Sequence, residues 1–100
     1  MGLKRQIESW ANNNWPTRTN DSVEKKLKEE LNELLEALDQ KDILSIAEEL
    51  FDVYAMVIDY AYMHNLDLRE LFAAKKTIMK HRKNHGKKVA LEKEIIRLYI

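Results

Sequence analysis

The sequence predicts an all-α protein, a bundle of four to five helices. Three observations point there. Two glycines and one proline in 100 residues leave too little turn material for a strand-rich fold. Apolar residues recur with a helical period: Val23, Leu27, Leu31, Leu34 and Leu38 follow one another at spacings of four, four, three and four. The stretches that interrupt this periodicity are short, polar and rich in helix-starting residues.

Taken in order, residues 3–13 form a first helix with Leu3, Ile7, Trp10 and Ala11 on one side. "NNNWPTRTND" ends it, because Pro16 cannot continue a helix and Asn and Thr favour turns. Asp21, with Glu24 three residues on, reads as a capping box for a second helix that runs to about Leu38. The connection "DQKD" at 39–42 is short enough to favour antiparallel neighbours. A third helix spans about Ile43 to His64, and its apolar side chains (Ile43, Leu44, Ile46, Leu50, Phe51, Val53, Tyr54, Val57, Ile58) point nearly all round. A helix of that kind is surrounded by other elements. Its polar members Ser45, Glu48, Glu49, Asp52 and Asp59 keep to one stripe. After "HNLDLRE", Asp67 and Glu70 read as a second capping box, and a fourth helix continues to about Asn84, where Gly86 stops it. Residues 87–100 suit a further helix with Ile95, Ile96 and Leu98 apolar.

A chain of 100 residues is one domain's worth, long enough to bury roughly two-thirds of its unfolded surface. We read residues 1–100 as one domain, with its core at about 3–85 and a C-terminal extension at 86–100. The absence of cysteine excludes disulfides and thiolate zinc sites and fits a reducing compartment, so a cytoplasmic location is expected. "MGLKRQIESW" lacks the apolar core of a signal peptide, and Gln6 stands where a myristoylation signal wants Ser or Thr. No run is apolar enough to span a membrane. The 17 basic and 17 acidic residues cancel but are not mixed. From Glu24 to Asp52 there are ten acids and four bases; from Lys75 to Lys88 there are seven Lys or Arg and no acid. Two solvated faces of opposite sign would explain this without any function.

Within the acidic half, two stretches are alike: "EELNE" at 29–33 and "EELFD" at 48–52. Each places acids one turn apart, Glu30 with Glu33 and Glu49 with Asp52, beside apolar residues. Antiparallel packing of the two helices would bring both pairs together. Two carboxylates about 4 Å apart repel by roughly 4 kcal/mol at an effective dielectric of about 20, so such a group needs protons, cationic side chains or a metal. Hard divalent cations such as Mg²⁺ take oxygen ligands. An ExxE alone is ordinary helix surface; a second pair, on the helix least able to spare a polar face, argues for a metal cup. A di-iron bundle would want Glu-x-x-His, and neither Glu30 nor Glu49 has His three residues on.

This paired motif, with fifteen residues between Glu33 and Glu49, resembles the MazG-like all-α nucleoside triphosphate pyrophosphohydrolases, whose relatives include dimeric dUTPases. The resemblance covers about residues 3–85. It implies that Glu30, Glu33, Glu49 and Asp52 bind Mg²⁺, with Mn²⁺ as the alternative ion, and that a nucleoside triphosphate is cleaved to monophosphate and pyrophosphate. Glu29 fills a further acidic position of the motif. The family's later lysine and arginine are matched by Lys75 and Arg82, whereas Met79 stands where asparagine is usual. Lys75, Arg82 and Lys76 are the cations for the phosphates. Hydrolysis would be metal-assisted, with Glu33 or Glu30 taking the proton from an attacking water. Trp15, in the loop beside Pro16, is the candidate to stack on a base.

The apolar circumference of the third helix predicts a homodimer or a tetramer, as the family also implies. A phosphoribosyl-ATP pyrophosphohydrolase is the neighbouring alternative. A non-enzymatic helical scaffold with a basic, nucleic-acid-contacting segment is the alternative of another class. The zero net charge and the lack of a helix-turn-helix signature speak against it, so nucleic acid is not expected as a partner.

Overall fold

The computed structural model describes residues 2–85, with side chains through His81. The fold is all-α: α1 (Leu3–Asn14), α2 (Asn20–Gln40), α3 (Ile43–Met63) and α4 (Leu68–His85), with no strand among the described residues. The expected C-terminal extension and its further helix lie outside the described residues. None of the described helices is long and apolar enough to cross a membrane. The chain divides into two compact units, Met1–His64 and Asn65–Ile100. In the first, α3 packs against both α2 and α1.

α1 buries Ile7 and Ala11, one turn apart. Leu3 and Trp10, expected on the same face, are about half exposed. The Trp15 amide donates to the Ala11 carbonyl and the Asn14 side chain to the Trp10 carbonyl, which closes the helix just before Pro16.

The start of α2 differs from the expectation. Thr19, not Asp21, is the N-cap. Its Oγ1 accepts from the Ser22 amide at 3.1 Å, and the Ser22 hydroxyl oxygen accepts from the Thr19 amide at 2.9 Å. Serine thus fills the reciprocal position that Glu24 was assigned, and Asp21 lies inside the first turn, where its charge faces the positive end of the helix dipole. Thr19→Ala should lower unfolding free energy by about 1 kcal/mol, read from urea titration. A loss of under a few tenths would show that the cap is dispensable.

The link between α2 and α3 is tighter than "DQKD" suggested. Lys41 alone turns the chain, at φ 57°, with its amide donating to the Ala37 and Leu38 carbonyls. Asp42 then caps α3, accepting from the Leu44 amide at 3.2 Å and the Ser45 hydroxyl at 2.8 Å. The result is an antiparallel helical hairpin.

The buried side of α2 is not the all-leucine stripe. Val23, Glu30 and Ala37 are buried, Leu27 and Leu34 half-buried, and Leu31 and Leu38 exposed. The inward positions are therefore 23, 27, 30, 34 and 37, spaced four, three, four and three, and a glutamate stands at their centre. On α3 the buried residues are Ala55, Ile58, Asp59 and Ala61. Within one chain the outer face of α3 is uncovered: Ile43 and Leu44 are 72% and 78% exposed, and Leu50, Phe51, Tyr54 and Val57 are also open.

In the second unit, Asp67 Oδ1 accepts from the Arg69 amide at 2.9 Å and the Glu70 amide at 3.3 Å, which caps the start of α4.

Candidate metal centre and adjoining pocket

The hairpin places Glu30 of α2 opposite Glu49 and Asp52 of α3. One carboxylate oxygen from each lies within 4.8 Å of the other two. Glu30 is 6% exposed, and Glu49 and Asp52 are half-buried. Lys26, one turn before Glu30, donates to Glu30 Oε1 at 2.9 Å and is the cation paired with this cluster. The second oxygens, Glu30 Oε2 and Glu49 Oε2, are buried without a hydrogen-bond partner.

An unpartnered buried oxygen costs about 1–3 kcal/mol, and more when charged. The fold therefore holds these groups at a loss. Burial raises the Glu49 carboxyl above the ordinary glutamate range, and the charge of Asp52 adds to it. Burial likewise raises Asp52, followed by the charge of Glu30. Glu33 lies one turn beyond Glu30, exposed and outside the trio. Its carboxyl is raised first by the hydrogen bond that its protonated form can donate to Glu30 and then by that residue's charge, with Glu49 contributing less. The Lys26 ammonium is raised in turn, chiefly by its bond to Glu30. Hard oxygen donors, two of them lacking any partner, fit a hard divalent cation such as Mg²⁺.

These shifts give a pH dependence with a definite sign. A carboxyl whose folded-state pKa is raised binds more protons folded than unfolded, between its ordinary and its raised value, so stability falls as pH rises through that interval. In chelator, the variant Glu33→Gln/Glu49→Gln/Asp52→Asn should melt above the wild type near about pH 7.5, with the gap closing toward about pH 5. Thermal melts across that range check it; a gap that widens on acidification would contradict it.

Beside the acids a cavity of about 580 Å³ opens, lined by residues 14–18, Ser22, Val23, Lys26, Met56 and Asp59. Lys26 is one turn before Glu30 and Met56 one turn after Asp52, so the two sites adjoin. Trp15 forms part of the cavity wall, and its ring stands edge-on to Trp10 with centroids 4.8 Å apart. At the back, Arg18 and Asp59 form a buried ion pair at 2.7 Å.

The cations expected to meet the phosphates are on α4. Lys75 and Lys76 are exposed, and the Lys76 ammonium lies 4.6 Å over the Phe72 ring. The Arg82 side chain is outside the described residues. Three residues of the first unit were not singled out from sequence as site residues: Lys26, which pairs with Glu30, and Arg18 and Asp59, which pair with each other. Lys26 carried a local signal, since a lysine one turn before a core-facing glutamate is placed to pair with it. Arg18 and Asp59 are 41 positions apart and share no local pattern.

A family model described as the MazG nucleotide pyrophosphohydrolase domain matches residues 18–87, more than half of the chain, and takes in both acidic stretches. Comparison with curated proteins and with solved structures found no match.

Proposed function

The chain belongs to the family of MazG nucleotide pyrophosphohydrolase domains, and from that premise we propose that it is an Mg²⁺-dependent hydrolase cleaving a nucleoside triphosphate to the monophosphate and pyrophosphate. The observation that carries this reading is the convergence of Glu30, Glu49 and Asp52 with two buried, unpartnered oxygens. A structural salt-bridge role would leave those oxygens paired.

Glu30, Glu49 and Asp52 would hold the ion, with Mn²⁺ as a substitute. When bound, Mg²⁺ supplies charge neutralisation at the phosphate oxygens and lowers the pKa of a coordinated water. Glu33 is the carboxylate we assign to accept the proton from the attacking water. It lies next to Glu30 yet outside the trio, and its raised pKa brings it nearer to neutrality, where a general base works best. Lys26 holds Glu30 in place and lines the cavity, so it is set to face a phosphate there. Trp15 offers an aromatic face at the cavity wall for a base to stack on. Lys75, Lys76 and Arg82 are proposed as further phosphate contacts on their charge and their match to the family's spacing. A reducing, cytoplasmic setting fits the lack of cysteine.

The open apolar face of α3, with Leu31, Leu35 and Leu38 of α2 also exposed, supports assembly as a homodimer or a pair of dimers. Light scattering at micromolar concentration should give at least twice the chain mass of 11.9 kDa. A value equal to the chain mass would contradict it.

The activity is tested by a panel of ribo- and deoxyribonucleoside triphosphates with Mg²⁺, following pyrophosphate release. Release from at least one substrate, absent in chelator, is the expected result. A panel wholly inert with Mg²⁺ and Mn²⁺ would favour the scaffold reading instead.

A further inference from the structure

We propose that Arg18 and Asp59 are positioning residues: their buried ion pair latches the Trp15–Pro16 segment against α3 as the cavity wall, and so sets nucleotide affinity without taking part in hydrolysis. This rests on the pyrophosphohydrolase reading above and names residues that reading does not use.

The first observation is burial. The side chains of Arg18 and Asp59 are 8% and 3% exposed. Buried ion pairs are weak sources of net stability, because desolvating both charges offsets their attraction. A pair of apolar residues would fill the space as well, so stability alone does not account for the choice.

The second is how the guanidinium spends its donors. Nε donates to Asp59 Oδ1 at 3.1 Å and Oδ2 at 2.8 Å, and Nη2 to Oδ1 at 2.7 Å. Nη2 also donates to Asn12 Oδ1 at 3.0 Å, and Nη1 to the Trp15 carbonyl at 3.0 Å and the Ala11 carbonyl at 3.4 Å. One side chain thus joins α3 to the last turn of α1 and to the backbone of Trp15 itself. The planar five-donor fork of arginine can do this; the single ammonium of lysine cannot. Asn12 completes the tie by donating to the Tyr62 hydroxyl of α3 at 3.0 Å.

The third is location. Asp59, Arg18 and Trp15 all line the cavity, whereas Glu30, Glu49 and Asp52 are not part of its lining. Releasing the latch would loosen the wall and leave the acid trio in place. The consequence is a split between binding and chemistry.

The test uses Arg18→Met/Asp59→Leu, which removes both charges at similar volume and so avoids stranding one of them. Expected are a melting temperature near wild type, an unchanged stabilisation by Mg²⁺ alone, and a weakened near-ultraviolet circular dichroism signal from the Trp10–Trp15 pair. KM for the triphosphate should rise about tenfold to hundredfold, the worth of one aromatic–base stack, with kcat within about threefold. Arg18→Lys, which keeps the charge and loses the fork, should show the same split in milder form. Unchanged KM in a folded double variant, or a fall in kcat with KM unmoved, overturns the latch alone. Failure of both variants to fold also overturns it, since the pair is then a folding element. If the wild type hydrolyses no triphosphate, the pyrophosphohydrolase reading falls and the latch with it.

Discussion

Glu49→Gln, Asp52→Asn and Glu33→Gln are each expected to abolish hydrolysis while the metal-free protein stays folded or grows firmer. The two halves of this result have one cause. Burial raises the Glu49 and Asp52 carboxyls, with the charge of Asp52 adding at Glu49 and that of Glu30 adding at Asp52, and one oxygen of Glu49 is buried without a partner. Removing a charge there relieves repulsion in the folded state, because the amide keeps the shape. The same change takes a ligand from the ion, or in Glu33 a base from the water, and loss of general-base catalysis alone costs about 10²–10⁴ in rate. Opposed movement of stability and activity marks a site held at a cost to the fold. A surface ion-pair role predicts a stability loss within about 1 kcal/mol and no change in turnover. Melts in chelator and pyrophosphate assays on the same variants separate the two accounts.

The second large effect lies at the latch. Arg18→Ala or Asp59→Ala alone should destabilise by about 3–5 kcal/mol, because each leaves its partner charged, buried and unmatched. Domains of this size have about 5–15 kcal/mol in total, so either variant would be close to unfolding at moderate temperature. The double apolar replacement should recover most of that loss. Urea titration of the two single variants and the double one measures the coupling. Single variants costing under about 1 kcal/mol would show that the pair is solvated in practice.

How much of this was legible in the sequence varies with the range of the interaction. The helices were, because their period is local and Pro16 leaves no choice at the first break. The approach of the two acidic stretches was legible in part: a short polar link implies a hairpin, which brings Glu30 opposite Glu49 and Asp52, while Glu33, expected in the same cup, stands outside the trio. The depth of Glu30 was not. Counting leucines gave the stripe 23, 27, 31, 34 and 38, but the face turned toward α3 runs through 23, 27, 30, 34 and 37, so Leu31 and Leu38 are left outside and Glu30 is taken in. Two apolar stripes one residue apart are equally periodic, and only packing chooses between them. The cap was misread for a similar reason: Asp21 and Thr19 both have capping side chains, and which one stands outside the helix depends on where the backbone enters it. Arg18 and Asp59 were invisible together, since a contact across 41 positions leaves no periodic trace. The open face of α3 reads the same whether a partner chain or nothing covers it, and the apolar pattern alone could not say which.

The measurement that tests the central claim most directly is phosphorus NMR of the products. Wild-type protein, a triphosphate from the active set and Mg²⁺ should yield monophosphate and pyrophosphate in equal amounts, with no orthophosphate, and nothing in chelator or with Asp52→Asn. Orthophosphate and diphosphate as products would place the cleavage at the wrong bond. Hydrolysis persisting in Asp52→Asn, or triphosphates left intact by a wild type whose melting temperature ignores Mg²⁺, would contradict the assignment of Glu30, Glu49 and Asp52 as the metal site.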